Sequence, residues 1–278
     1  MAKRTAPKRT TSSKTGAIAG VKLDTNKFEN ALQVGGIRTG TIDHAIPAGG
    51  QQTRVAHVDT GSGLRFLVSL DRGGDIVDTF YNRYSLVYLA PSGYVPPSHA
   101  YHRGSEWLHS WPAGLLTSCG PLHIGHAREE DGPTTSLHGH YSNTPAAVEM
   151  LLNPDPQRGR YEMLLSMVVR DAKMFGPVVE IRRQIQCVLG HPEIRIFDQI
   201  TNRGNVRCPH NWLYHVNLGY PLLDKGARLI FRGQLTNVFD LPSVAPKSGR
   251  KLDPNRIKRV PEPLPEHAGS GERGVIVV

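Results

Sequence analysis

The alternation of apolar and polar residues along the chain is mostly that of strands. Leu64-Arg65-Phe66-Leu67-Val68-Ser69-Leu70 is a short apolar run closed by Asp71-Arg72-Gly73-Gly74, which predicts a strand and a turn. Tyr161 to Val169 is a second such run. Val178 to Val188 alternates Ile181, Arg183, Ile185 and Cys187 with polar or charged neighbours. After Gly190-His191-Pro192, the segment Glu193 to Thr201 supplies Ile194, Ile196 and Ile200, the branched residues that strands favour. Leu213 to Leu218 and Ala227 to Phe231 read as two more strands. No segment holds a helical period for three turns. Turn signals recur about every ten residues, the spacing of large all-β sandwiches. The prediction is one large, mostly antiparallel β-sandwich over residues 32–278, preceded by a basic tail and lead-in over residues 1–31. From Asn237 to Ser270, six prolines with interspersed Lys and Arg predict an irregular loop, after which Gly274 to Val278 starts a new strand.

Composition supports that picture. The chain has 278 residues, 38% of them hydrophobic and 21% charged, which is enough apolar material for a sizeable core. Gly 29 and Pro 21 give a density of turns that argues against a helical bundle. The formal charge of +9 is concentrated at the start, where Lys3, Arg4, Lys8, Arg9 and Lys14 occur without an acid. The remainder sets 28 basic against 24 acidic residues, so no nucleic-acid partner is expected. The start reads as a solvated tail, with an organellar transit peptide as the alternative. Cys119, Cys187 and Cys208 are too few and too widely spaced for a disulfide framework, which fits a reducing, cytoplasmic setting. No stretch approaches the roughly 18 apolar residues of a membrane span, so no membrane partner is expected.

Candidate chemistry gathers in one segment. Seven of the 13 histidines (His99, His102, His109, His123, His126, His138 and His140) fall between positions 99 and 140, together with Trp107 and Trp111. Aromatic faces and polar side chains on the loops of a β scaffold suit a sugar, whose C–H faces stack and whose hydroxyls hydrogen-bond. Three readings remain open at this level. His138-Gly139-His140 has a spacing that can present two imidazoles to one metal ion, but the first acid after it is Glu149. Alternatively, most of these histidines are satisfied loop or core residues. In the third reading one or two of them work as acid–base groups, since imidazole titrates near neutrality. His215, between an apolar strand and Asn217-Leu218-Gly219, would stand at a strand end where loops form a pocket.

Leu137-His138-Gly139, then Asp198-Gln199-Ile200-Thr201-Asn202, then Tyr214-His215-Val216-Asn217-Leu218 resemble, in that order, the aldose 1-epimerase (galactose mutarotase-like) superfamily. The chain resembles a bacterial domain-of-unknown-function branch of it, over roughly Leu64 to Phe231. The resemblance implies a β-supersandwich with a cleft for an aldose, no cofactor and no bound metal. It implies that His215 is the acid that protonates the ring oxygen and that His138 holds the sugar and stabilises the transition state. His123, His140, Asn143, Asn217 and Trp107 are the expected sugar contacts. The family also places an Arg ahead of Leu-His-Gly, but after Cys119-Gly120 the neighbourhood holds His123 and His126 instead. The family's general base is a Glu on a strand near the C-terminus. Here the acids after His215 are Asp224, Asp240, Asp253, Glu262, Glu266 and Glu272, none in a matching context. The expectation is therefore a domain shortened at its C-terminal side, with an open sheet edge and weakened catalysis.

Overall fold

The structure is a computed structural model that describes residues 17–18, 21–43, 52–128, 135–233, 235–240, 259–260, 262 and 273–277. The basic tail, most of the proline-rich stretch, Asp253, Glu266 and Glu272 lie outside the described residues. In chain order the strands are β1 (Ala17–Ile18), β2 (Val21–Lys22), β3 (Gly36–Asp43), β4 (Gln52–Asp59), β5 (Leu64–Ser69), β6 (Asp75–Tyr81), β7 (Tyr84–Ser85) and β8 (Leu116–Cys119). They continue with β9 (Ala147–Leu152), β10 (Glu162–Ala172), β11 (Val178–Val188), β12 (Arg195–Asn202), β13 (Leu213–Val216), β14 (Leu235–Asp240) and β15 (Arg273–Val277). Helical turns are short 3-10 pieces, and no helix among the described residues is long and apolar enough to cross a membrane.

Two sheets carry the fold. A seven-stranded sheet runs β13-β8-β6-β5-β4-β3 with β7 added on β6, and a four-stranded sheet runs β12-β11-β10-β9. Every strand pairing is antiparallel. Alternation along each strand sends one row inward. From the large sheet come Ile37, Ala56, Val58, Phe66, Val68, Ile76 and Leu116; from the small sheet come Met163, Leu165, Met167, Val169, Val179, Ile181, Ile185 and Cys187. This is the predicted all-β sandwich. The outer face of the large sheet is also partly covered: Val55, Leu67 and Val77 form a second cluster with Ile42 and Tyr94.

Arg183 interrupts the inward row of β11. It is fully buried, and its guanidinium joins the two sheets. Nε and Nη2 donate to the two carboxylate oxygens of Asp198 on β12 at 2.9 and 2.7 Å, Nη1 donates to Asp75 Oδ1 on β6 at 3.0 Å, and Nη2 donates to Ser118 Oγ on β8 at 2.6 Å. Burial opposes its charge, but Tyr141, Asp198 and Asp75 outweigh that and hold its pKa above the ordinary value.

Two predicted elements differ. Ala227–Phe231 is not a strand: Gly226 turns the chain at φ +82°, Ile230 is 87% exposed, and among the described residues its one ladder contact is an isolated bridge from Arg228 to Arg259. A short apolar run without a partner edge has no ladder to join. Conversely, the stretch read as a loop from Asn237 begins inside β14, which pairs with the closing strand β15.

Candidate functional site

The described loops on either side of β8 bring the sequence's two histidine elements together beside β13. His215 on β13 pairs with Thr117 on β8, on the face opposite Leu116. Thr117 Oγ1 accepts a hydrogen bond from Trp111 Nε1 at 2.9 Å. Trp111 thereby stands edge-on to His215 at 5.8 Å and stacks on Trp107 at 5.2 Å. Trp107 is held by its Nε1 donating to Ser142 Oγ at 3.0 Å and meets His138 edge-on at 5.4 Å. His138 and His215 close the circuit with ring centroids 5.7 Å apart. Four aromatic rings thus form a closed cycle, and the two histidines face each other within it.

The loop carrying His138 turns sharply. His138 itself has φ +60° and Gly139 φ +79°; a Cβ on Gly139 would lie 2.6 Å from the carbonyl oxygen of Gly120. Only glycine fits that close approach at that φ. His138 Nδ1 accepts from the Gly125 N–H at 3.2 Å. Burial, then the neighbouring His215, His123 and His126, push the His138 pKa down to about 4, so its ring is neutral at pH 7. His215 Nδ1 is buried without a hydrogen-bond partner.

The remaining predicted contacts fall into separate groups. His123 donates from Nε2 to the His126 carbonyl at 2.7 Å. His140 goes away from His138: it stacks on His102 at 4.6 Å, and its Nδ1 lies 3.9 Å from Asp171. The His-x-His pair therefore does not converge, and among the described residues no three His, Cys, Asp or Glu side chains gather as metal ligands would. Asn143 is buried with both ends of its amide bonded: Nδ2 donates to Ser98 O at 2.8 Å, and Oδ1 accepts from Arg72 at 3.3 Å. Asn217 is buried too, and its Nδ2 donates to the carbonyls of Gly114 and His215 at 3.0 and 3.2 Å. Asn143 thus ties two loops to the turn after β5, and Asn217 ties the Gly114 loop to β13.

Sequence reasoning passed over Arg72. It sits in the turn after β5, is 2% exposed, and places Nη1 3.4 Å from Val95 O and against Asn143, beneath the loop that carries His140. Its Nη2 is buried without a partner. Burial lowers its pKa to about 10 against the pull of Asp75. In the sequence its Asp-Arg-Gly-Gly setting reads only as a turn. Ser69 Oγ, on the same face of the sheet as Leu67 and Val55, is likewise buried and unpartnered. Buried polar atoms without protein partners call for water or a ligand.

The fold has a counterpart among solved structures. A crystal structure from Klebsiella pneumoniae, of a protein assigned provisionally as an aldose 1-epimerase, matches with a TM-score of 0.58 at 20% identity, over 73% of this chain. The match covers 60% of that structure, so the chain spans about three fifths of its length. No curated protein matches the chain. Residues 50–267 match the family model described as Domain of unknown function (DUF4432), and the chain belongs to that family.

Proposed function

We propose that the outer face of the large sheet binds an aldose and that His215 and His138 take part in interconverting its anomers. The observation that carries this reading is the pairing of two imidazoles 5.7 Å apart inside an aromatic cycle. Buried, unpartnered nitrogens of His215 and Arg72 in the same region accompany it. Such a set suits a ligand with an apolar C–H face and a rim of hydroxyls.

The reaction asks for two coordinated proton movements. A base takes the proton of the C1 hydroxyl while an acid gives one to the ring oxygen; the C1–O5 bond breaks and the C1 oxygen becomes a carbonyl. Rotation about C1–C2 and reclosure with the roles reversed give the other anomer. Proton transfer by a positioned side chain contributes roughly a hundred- to ten-thousand-fold. His215 is the group for the ring oxygen. His138, neutral with Nδ1 already accepting, offers an Nε2–H to an oxygen at C1. Arg72 would hold hydroxyls and half-buried Trp111 the C–H face, with Trp107, 1% exposed, packed behind it.

Polarimetry on freshly dissolved α-glucose and α-galactose, extended to acidic aldoses, tests the proposal. Wild type should speed the approach to equilibrium above the buffer rate, and folded His215→Ala should not. Binding seen by calorimetry with no rotation effect in wild type would leave a sugar-binding module; neither binding nor rotation would remove the proposal.

A further inference from the structure

We infer that Gly125 is a positioning residue: its backbone N–H holds His138 in the tautomer protonated at Nε2, which makes this histidine a fixed hydrogen-bond donor and not a proton carrier. The kinetic part of the inference rests on the function proposed above; the tautomer does not.

The geometry is a two-point clamp. The Gly125 N–H donates to His138 Nδ1 at 3.2 Å, and the His138 backbone N–H donates to the Gly125 carbonyl at 2.9 Å. An amide N–H can only donate, so Nδ1 must present its lone pair and the single ring proton of neutral imidazole belongs to Nε2. Because one residue is bonded twice by the same partner, the ring is fixed against its own backbone. The clamp needs Gly125 at φ +87°, where nothing lies within 4 Å of a would-be Cβ. Backbone conformation, not lack of space, is what requires glycine there. The turn is braced by the His123–His126 hydrogen bond at 2.7 Å. Opposite it, a Cβ on Gly139 would lie 2.7 Å from the His123 carbonyl, so the two loop segments cannot slide apart or together without clashing or losing bonds.

The chemical consequence is a division of labour. To become an imidazolium, His138 would place a proton on Nδ1 against the Gly125 N–H. His215, His123 and His126 oppose the same step electrostatically, as does burial. His138 therefore supplies a directed N–H to an oxygen that gains charge, and proton exchange falls to His215 and a second group.

NMR of protein labelled with 15N-histidine, with His138 assigned by its loss in His138→Gln, reads the tautomer directly. At pH 7 the expected spectrum has Nδ1 in its unprotonated range and Nε2 carrying the proton. Gly125→Val cannot hold a positive φ. It should mix the tautomers and lower kcat by about tenfold, the low end of the loss when a metal-bound histidine loses the partner that orients it. Gly125→Asn, which tolerates positive φ, should restore both readouts toward wild type. A wild-type His138 protonated at Nδ1, or at both nitrogens, at pH 7 overturns the inference even if Gly125→Val fails to fold. So does an unchanged tautomer in folded Gly125→Val. A correct tautomer in a protein that turns over no aldose would overturn the proposed function and leave the clamp standing.

Discussion

Replacing Arg183 by Met tests how the two sheets are held together. The side chain keeps similar length and apolar stem, while the charge and all guanidinium hydrogen bonds disappear. Asp75 and Asp198, each almost fully buried, would then lack their cation. Breaking a buried ion pair by removing one partner costs about 3–5 kcal/mol, and two stranded carboxylates put this case at the upper end. At roughly 2–4 °C per kcal/mol for a large domain, the melting temperature should fall by about 10–20 °C. The loss should depend on pH in a definite sense. Burial raises the Asp75 pKa from 3.8 to about 6 even with Arg183 present, because the lowering effects of Arg183 and Ser118 do not fully offset it. A carboxyl with a folded pKa above its unfolded value binds more protons in the folded state across that window. Its contribution therefore favours folding on the acid side and is lost as pH rises through about 6. Without Arg183 the folded pKa climbs further, so the variant should recover part of its deficit at pH 5 relative to pH 8, on the order of 1.4 kcal/mol per unit of added shift. Urea unfolding of both proteins at the two pH values, at one ionic strength, measures this. A deficit below about 1 kcal/mol at pH 8, or one equal at both pH values, would refute an electrostatic bridge between the sheets.

Three further outcomes follow from the same structure. Cys119 and Cys187 are buried, and burial pushes both thiols up to about 12, so a thiol reagent should label only half-exposed Cys208 in the native protein and all three in urea; rapid native labelling of two or more would contradict the core packing. Asn217→Ala should lower unfolding stability by about 1–3 kcal/mol, because the Gly114 carbonyl loses its donor, and a larger effect on sugar affinity than on stability would show instead that the amide reads the ligand. Glu180 has its pKa lowered to about 2, first by hydrogen bonds from Arg203 and Arg170, so its contribution to stability is present above pH 4.5 and should fade as pH falls toward 2; Glu180→Gln should flatten that part of the acid unfolding curve, and an unchanged curve would exclude it.

Which parts of this molecule can be read from sequence depends on whether the determining contact is local. β11 matches its predicted bounds, Val178 to Val188, because alternate positions face inward along its length, four apolar residues and the buried Arg183, and its turns stand next to it. The long β10–β11 hairpin closes within neighbouring residues, so local pattern suffices. β3 and β4 escape the same reading. Gly36-Ile37-Arg38-Thr39-Gly40-Thr41-Ile42-Asp43 buries only its first two residues, and its strand character comes from eight register partners on β4. Propensity for half-buried strands is mostly a statement about neighbours, and those neighbours are not in the window. The same distinction runs through the site. The histidines were legible as residue types, yet their meeting depends on β8 pairing with β13 and on the loop bending at Gly139. Arg72 was not legible, because a guanidinium in a glycine turn ordinarily points to water and its burial follows from the loop folded over it. Asn143 and Asn217 were legible only as polar groups available to something. Burial decides what that something is: a loop laid over a sheet brings its own unpaired carbonyls, and the nearest amides must satisfy them before any ligand is met.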